Sequence, residues 1–130
     1  MVQHIITGEP TSSGDVYLVT GSHGHIGSYI VEELCRQKDN IEIVCLDNFY
    51  NANLDNLKVS YKLAQDKNIK LHDTRVDISD SKLMRDMFIR YKPKYVFHCA
   101  SYLTLDSKKN KSRSVQVNIY GSALIFELSS

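Results

Sequence analysis

The chain has 130 residues, 42% hydrophobic and 24% charged, and its 16 Lys and Arg against 15 Asp and Glu leave a formal net charge of +1. That is enough chain for one core and one domain, and it is too apolar and too close to neutral for a disordered segment. Near-neutrality also excludes the charge excess of a dedicated nucleic-acid binder or anionic-membrane binder.

Residues 1–14 carry Pro10, Thr11, Ser12, Ser13 and Gly14, show no sustained periodicity and read as a flexible leader. The start lacks the basic end and apolar middle of a secretory signal, and no apolar run nears the roughly 18–20 residues of a membrane span. The expected address is therefore the cytoplasm, with no membrane partner. The structured part, 15–130, opens on Val16 to Thr20, a continuous β-prone run that stops at glycine, as a strand covered on both faces does. His25 to Lys38 has helical spacing, with Ile26, Ile30, Val31, Leu34 and Cys35 on one side and Glu32, Glu33, Arg36 and Lys38 on the other. Ile41 to Leu46 is a second strand, closed by Asp47.

A polar stretch from Asn48 to Asn56 leads into a helical segment over about Leu57 to Gln65. Ile69 to Asp73 alternates as a short third strand, followed by Val76-Asp77-Ile78. Ser79 or Asp80 can cap a helix that buries Leu83, Met84, Met87 and Phe88, and Pro93 ends it. Tyr95 to Ala100 is a fourth strand with almost no polar face. A lysine-rich loop, Lys108 to Lys111, precedes a last helix over about Ser114 to Leu128. The order β-α-β-α-β-α-β-α predicts an α/β fold, a Rossmann-type parallel sheet with right-handed crossovers and helices on both faces.

Cys35, Cys45 and Cys99 are odd in number, far apart and set in apolar stretches, so they read as buried thiols rather than a disulfide framework or a metal site. His23 and His25 lack further ligands at metal-binding spacing and read as loop residues, and His98 as a hydrogen-bonded core histidine. The basic run up to Arg113 reads as a solvated surface, with no nucleic-acid partner implied.

The strongest chemical signal is Thr20-Gly21-Ser22-His23-Gly24-His25-Ile26-Gly27, three glycines spaced G-x-x-G-x-x-G between the first strand and the first helix. Gly21 lets the chain turn off the strand, Gly24 lets a pyrophosphate approach the backbone, and Gly27 lets the helix pack close to the sheet. The phosphates meet the free N–H groups and positive end of a helix opening at His25 and Ile26. Asp47 follows 20 positions after Gly27 at the end of strand two, where a carboxylate accepts the ribose hydroxyls and repels a 2′-phosphate. The next residue is Asn48 and not arginine, so NAD is expected as cofactor rather than NADP.

These segments, with Leu46-Asp47-Asn48-Phe49, Val76-Asp77-Ile78, His98-Cys99-Ala100 and Asn118-Ile119-Tyr120-Gly121, resemble the N-terminal half of an extended short-chain dehydrogenase/reductase. Within that superfamily, residues 46–52 and 91–98 most resemble UDP-galactose (UDP-glucose) 4-epimerase. The resemblance implies that Asp77 and Ile78 flank the adenine, with the Asp77 side chain on its amino group, and that Asn48 shares the ribose with Asp47. It also implies that Ala100 and Ser101 lie under the cofactor and that Asn118 braces the site. In the whole enzyme a bound NAD would take a hydride from C4 of a UDP-sugar and return it to the other face.

Two departures stand beside it. The epimerases place a lysine soon after this His-x-Ala segment, where this chain reads Ser101-Tyr102-Leu103-Thr104, and Phe97 to Ser101 also resembles the 3β-hydroxysteroid dehydrogenase branch. The Tyr-x-x-x-Lys pair of the superfamily occurs nowhere in the 130 residues; Tyr61-Lys62 and Tyr91-Lys92 lack the spacing. The expectation is a cofactor-binding portion, truncated before the catalytic helix and without catalytic residues of its own, or a catalytically silent NAD-binding fragment. With strand order 3-2-1-4, the fourth strand becomes an edge through which the isolated chain is expected to self-associate.

Overall fold

A computed structural model describes residues 14–49, 53–100 and 111–129. The leader assigned to residues 1–14 thus falls almost wholly outside the described residues, as do Ser101 and most of the lysine-rich loop.

Four parallel strands form one sheet in the order β3-β2-β1-β4: β1 Val16–Thr20, β2 Glu42–Asp47, β3 Lys70–Arg75 and β4 Tyr95–His98. The helices are α1 His25–Gln37, α2 Lys58–Gln65, α3 Ser81–Tyr91, α4 Lys111–Val115 and α5 Ser122–Leu128. A 3-10 turn, Leu54–Leu57, precedes α2, and a π-helical stretch, Gln116–Gly121, joins α4 to α5. The expected strand order and parallel sense are those observed.

All five residues of β1 are buried, because alternate side chains enter different cores. Val16 and Leu18 join Met84, Phe88 and Ile125 under α3 and α5. Tyr17 and Val19 join Val31, Cys35 and Leu57 under α1 and α2. Asp80 caps α3 by accepting from the Leu83 N–H at 3.1 Å, and Lys92 ends it in the left-handed region at φ 46°. Burial pushes the Cys35 thiol up to about 11 and Cys45 well above its usual range, as buried apolar thiols require.

Several expectations need correction. Ile26, assigned to the buried stripe of α1, is 65% exposed, because the side of the helix that turns inward carries Gly27, Ser28, Val31 and Cys35 instead. The third strand runs two residues further than Asp73, since Thr74 and Arg75 continue the ladder with Leu46 and Asp47. The fourth strand stops at His98. The last helical segment starts at Lys111, so that residue belongs to α4 rather than to a loop, and the π-helical stretch interrupts it. As expected, β4 is an edge strand, with Tyr95 43% and Phe97 36% exposed.

Candidate functional site

Parallel register brings the C-terminal ends of the four strands to one side of the sheet: Thr20 pairs with Leu46 and His98, and Asp47 with Arg75. In open parallel sheets this is the side where ligands bind. The glycine loop springs from β1 here. Its Gly21 and Ser22 N–H groups both donate to the Leu46 carbonyl, at 2.8 and 3.2 Å. Gly21 has φ +67°, and an added Cβ would sit 2.8 Å from the Ala100 nitrogen. A Cβ on Gly27 would sit 2.0 Å from the Gly21 carbonyl oxygen, so α1 can lie this close to the loop only without a side chain.

Gly24 differs from both. Its backbone is ordinary, φ −78° and ψ 178°, and an added Cβ would meet only the Gly21 carbonyl oxygen, at 3.3 Å. It is the N-cap of α1 and gives no side-chain capping bond, and the first turn has no acidic residue. That leaves a helix N-terminus with outward N–H groups, a positive dipole end and an open approach over Gly24, flanked by exposed His25 and Ile26. A Cβ at 24 would ask the Gly21 carbonyl to give by only a few tenths of an ångström, far less than at 21 or 27, and an open helix N-terminus of this kind suits an anion.

Asp47 stands opposite. Its Oδ2 accepts from the His23 N–H at 2.9 Å and its Oδ1 from the Phe49 N–H at 2.7 Å. The second bond holds Phe49 at φ 66°, a strained conformation for an aromatic residue, and Arg75 lies over the Phe49 ring at 5.5 Å. A carboxylate offers about four acceptor positions, so Asp47 retains capacity for a ligand hydroxyl. Asn48 is next to it and partly buried.

The remaining expected residues fare unequally. Ala100 lies under the loop, with its N–H on Thr20 Oγ1 at 3.1 Å. Asp77 lies past the end of β3, but its carboxylate is engaged: Oδ1 accepts from the Ser79 N–H at 2.9 Å and hydroxyl at 2.7 Å, and Oδ2 pairs with Arg113 of α4. An adenine amino group would have to share an oxygen with those partners. Ile78, next in the chain, is buried in the core cluster that includes Leu18, Met84 and Ile125. Asn118 lies in the π-helical stretch, partly buried. Ser101 is outside the described residues.

Beneath the loop, Thr20 Oγ1 accepts from the Cys99 N–H at 3.0 Å as well as from Ala100, and lies 2.7 Å from His98 Nδ1. With two N–H groups on its oxygen, the hydroxyl gives its own proton to Nδ1, so Nε2–H donates to Ser122 Oγ at 2.8 Å. His98 is thus a bonded structural histidine, as its sequence context suggested. Burial lowers its pKa. The unfolded chain therefore binds the proton first as pH falls below about 6.5, and the stability that neutral His98 supplies is lost from there down to the folded-state pKa. Thermal unfolding between pH 7.5 and 5 should show a steeper loss for wild type than for His98→Gln; parallel slopes would contradict this.

What the sequence reading missed is His23. It is 2% exposed, with Nδ1 3.2 Å from Ser22 Oγ and Nε2 3.2 Å from Asp73 Oδ2. Nothing local in the sequence marks the pair, because Asp73 comes from β3.

The sequence model of the GDP-mannose 4,6 dehydratase family matches residues 18–130. The chain belongs to this family. Members similar to it include dTDP-D-glucose 4,6-dehydratase of Dictyostelium discoideum, 31% identical over 85% of this chain and 25% of its own length. UDP-glucose 4-epimerase of Drosophila melanogaster is 36% identical over 65% of this chain and 24% of its own. Among solved structures, the complex of Thermus thermophilus UDP-glucose 4-epimerase with NAD superposes at a TM-score of 0.68, 28% identical, over 87% of this chain and 33% of that one. The family fold is that of the extended short-chain dehydrogenase/reductases, and this chain spans a quarter of the two curated relatives' length.

Proposed function

We propose that this chain is the NAD-binding portion of a nucleotide-sugar enzyme of the 4-epimerase type. The observation that carries the reading is the open helix N-terminus over Gly24, facing a carboxylate, Asp47, at the end of the neighbouring strand. The N–H groups of the α1 first turn, with Gly21, Gly24, His25, Ile26 and Gly27 around them, would hold the pyrophosphate. Asp47 and Asn48 would hold the adenosine ribose. Asp77 and the Ile78 backbone would border the adenine, while Ala100, Ser101 and Asn118 would support the nicotinamide side. Bound there, NAD supplies hydride acceptance and return; the chain's own share is to bind and orient it.

The names of the relatives support a UDP-sugar or a similar nucleotide-linked hexose as substrate of the whole protein. No Tyr-x-x-x-Lys occurs in the 130 residues, so the share of the reaction assigned to them is cofactor binding. Among the described residues no helix is long and apolar enough to cross a membrane, and the three free cysteines suit a reducing cytoplasm.

Adding NAD to the 15N-labelled chain should shift the amide resonances of Gly21 to Gly27, Asp47 to Phe49, Asp77 and Ala100 while leaving α2 unmoved. Shifts confined to α2 or to the β4 edge would overturn the placement. That edge has a different role: Tyr95 and Phe97 flank strand backbone that pairs with no further strand among the described residues, and a groove of about 450 Å³ beside it is lined by Phe88, Val96, Ile125 and Phe126. The isolated chain should self-associate there, through a second copy's β4. Sedimentation at high concentration should show dimers or larger species that Phe97→Lys disperses; a monodisperse wild-type monomer would contradict it.

A further inference from the structure

His23 is held from four directions. Its N–H donates to Asp47 Oδ2 at 2.9 Å, its carbonyl accepts from Asn56 Nδ2 at 2.8 Å, and its ring meets the Phe49 ring edge-on at 4.7 Å. Below, Nε2 reaches Asp73 Oδ2 at 3.2 Å. A carboxylate only accepts, so Nε2 carries a proton and donates it to Asp73. The same Asp73 oxygen accepts from the Tyr61 hydroxyl of α2 at 3.0 Å.

Asp73 is an expensive residue in this place. Its side chain is 9% exposed, and its Oδ1 is buried with no hydrogen-bond partner among the described residues. A buried carboxylate with one oxygen unsatisfied lowers stability, so its presence asks for a role that an apolar residue could not fill. What it does here is fix the one ring whose own backbone N–H fixes Asp47.

We infer that His23 is a positioning residue for dinucleotide recognition, with Asp73 as its anchor: the His23–Asp73 pair ties the glycine loop to β3 and so sets the pose in which Asp47 meets the adenosine 2′- and 3′-hydroxyls. The inference rests on the cofactor reading above and adds the device that makes its ribose contact selective. The imidazole touches no ligand itself. It acts by denying the loop and the carboxylate any other relative position.

The test compares ADP with 2′-deoxy-ADP, which differ only in a hydroxyl that Asp47 would accept. The full 130-residue wild-type chain should bind ADP roughly tenfold or more tightly than the deoxy form, the effect of one hydrogen bond to a charged group. In Asp73→Leu, which keeps the branching of the side chain but has no acceptor, that ratio should fall to about one; in Asp73→Asn, which still accepts from Nε2–H, it should stay near the wild-type value. His23→Ala should match Asp73→Leu. A purely structural role would weaken both ligands together and leave the ratio unchanged, which overturns the inference while the cofactor reading stands. A wild-type chain that binds neither nucleotide overturns both. Thermal melts of the Asp73 variants check that each is folded when titrated.

Discussion

Gly27→Ala lowers the stability of the chain by roughly 1–3 kcal/mol, on the order of 5–10 °C in Tm, and weakens NAD binding at least tenfold. The new methyl would lie 2.0 Å from the Gly21 carbonyl oxygen and 2.7 Å from its carbonyl carbon. Both are backbone atoms and cannot swing away as a side-chain tip can, so α1 must withdraw from the loop. The first-turn N–H groups that would hold the phosphates move with it. Gly24→Ala provides the contrast. Its methyl meets one backbone oxygen, at 3.3 Å, a contact relieved by a shift of a few tenths of an ångström on a backbone that any residue adopts, so Tm should fall clearly less than in Gly27→Ala while NAD binding falls as far. Thermal melts and NAD titrations of the two variants check this split. Equal loss of stability in both, or NAD binding untouched in Gly24→Ala, would remove the ligand explanation for Gly24.

The second large effect is on cofactor choice. A 2′-phosphate held about 4 Å from the Asp47 carboxylate would be repelled by about 1 kcal/mol if fully hydrated and about 4 kcal/mol at an effective dielectric of 20. Asp47 is half-buried and already bonded to two backbone N–H groups, so the repulsion falls between these limits and favours NAD by tenfold or more. Asp47→Ala should weaken NAD by about tenfold. It should also bring NADP level with NAD or ahead of it, because Arg75, beside Asp47 in the ladder and over the Phe49 ring, then faces the 2′-phosphate without a competing anion. Titration of the variant with both cofactors decides; an NAD preference as strong as in wild type would show that Asp47 does not read the ribose.

Much of this architecture is legible in the sequence, and the reasons are local. Val16 to Thr20 reads as a doubly covered strand because every position is apolar or β-prone, and the fold buries all five. The glycine spacing marks the turn into α1 because each glycine answers a backbone constraint, and Asp47 is marked by its distance from them. The parallel order follows from the alternation of strands and helices. Contacts between distant segments are not legible in this way. Periodicity puts Ile26 on the buried stripe but cannot show that the inward side of α1 is set by Gly27, Ser28, Val31 and Cys35. Asp77 reads as free for a ligand until the fold brings Arg113 of α4 against it. The His23–Asp73 pair joins the loop after β1 to the third strand, and neither residue type nor spacing connects them. The π-helical stretch at Asn118 escapes propensity altogether, because side-chain spacing does not distinguish one extra residue in a turn.

The central claim is that these residues form an NAD site, and calorimetric titration of the 130-residue chain tests it most directly. A saturable heat with NAD, one molecule per chain and at least tenfold tighter than with NADP, is the predicted result. No heat with either cofactor, or tighter binding of NADP, would contradict it.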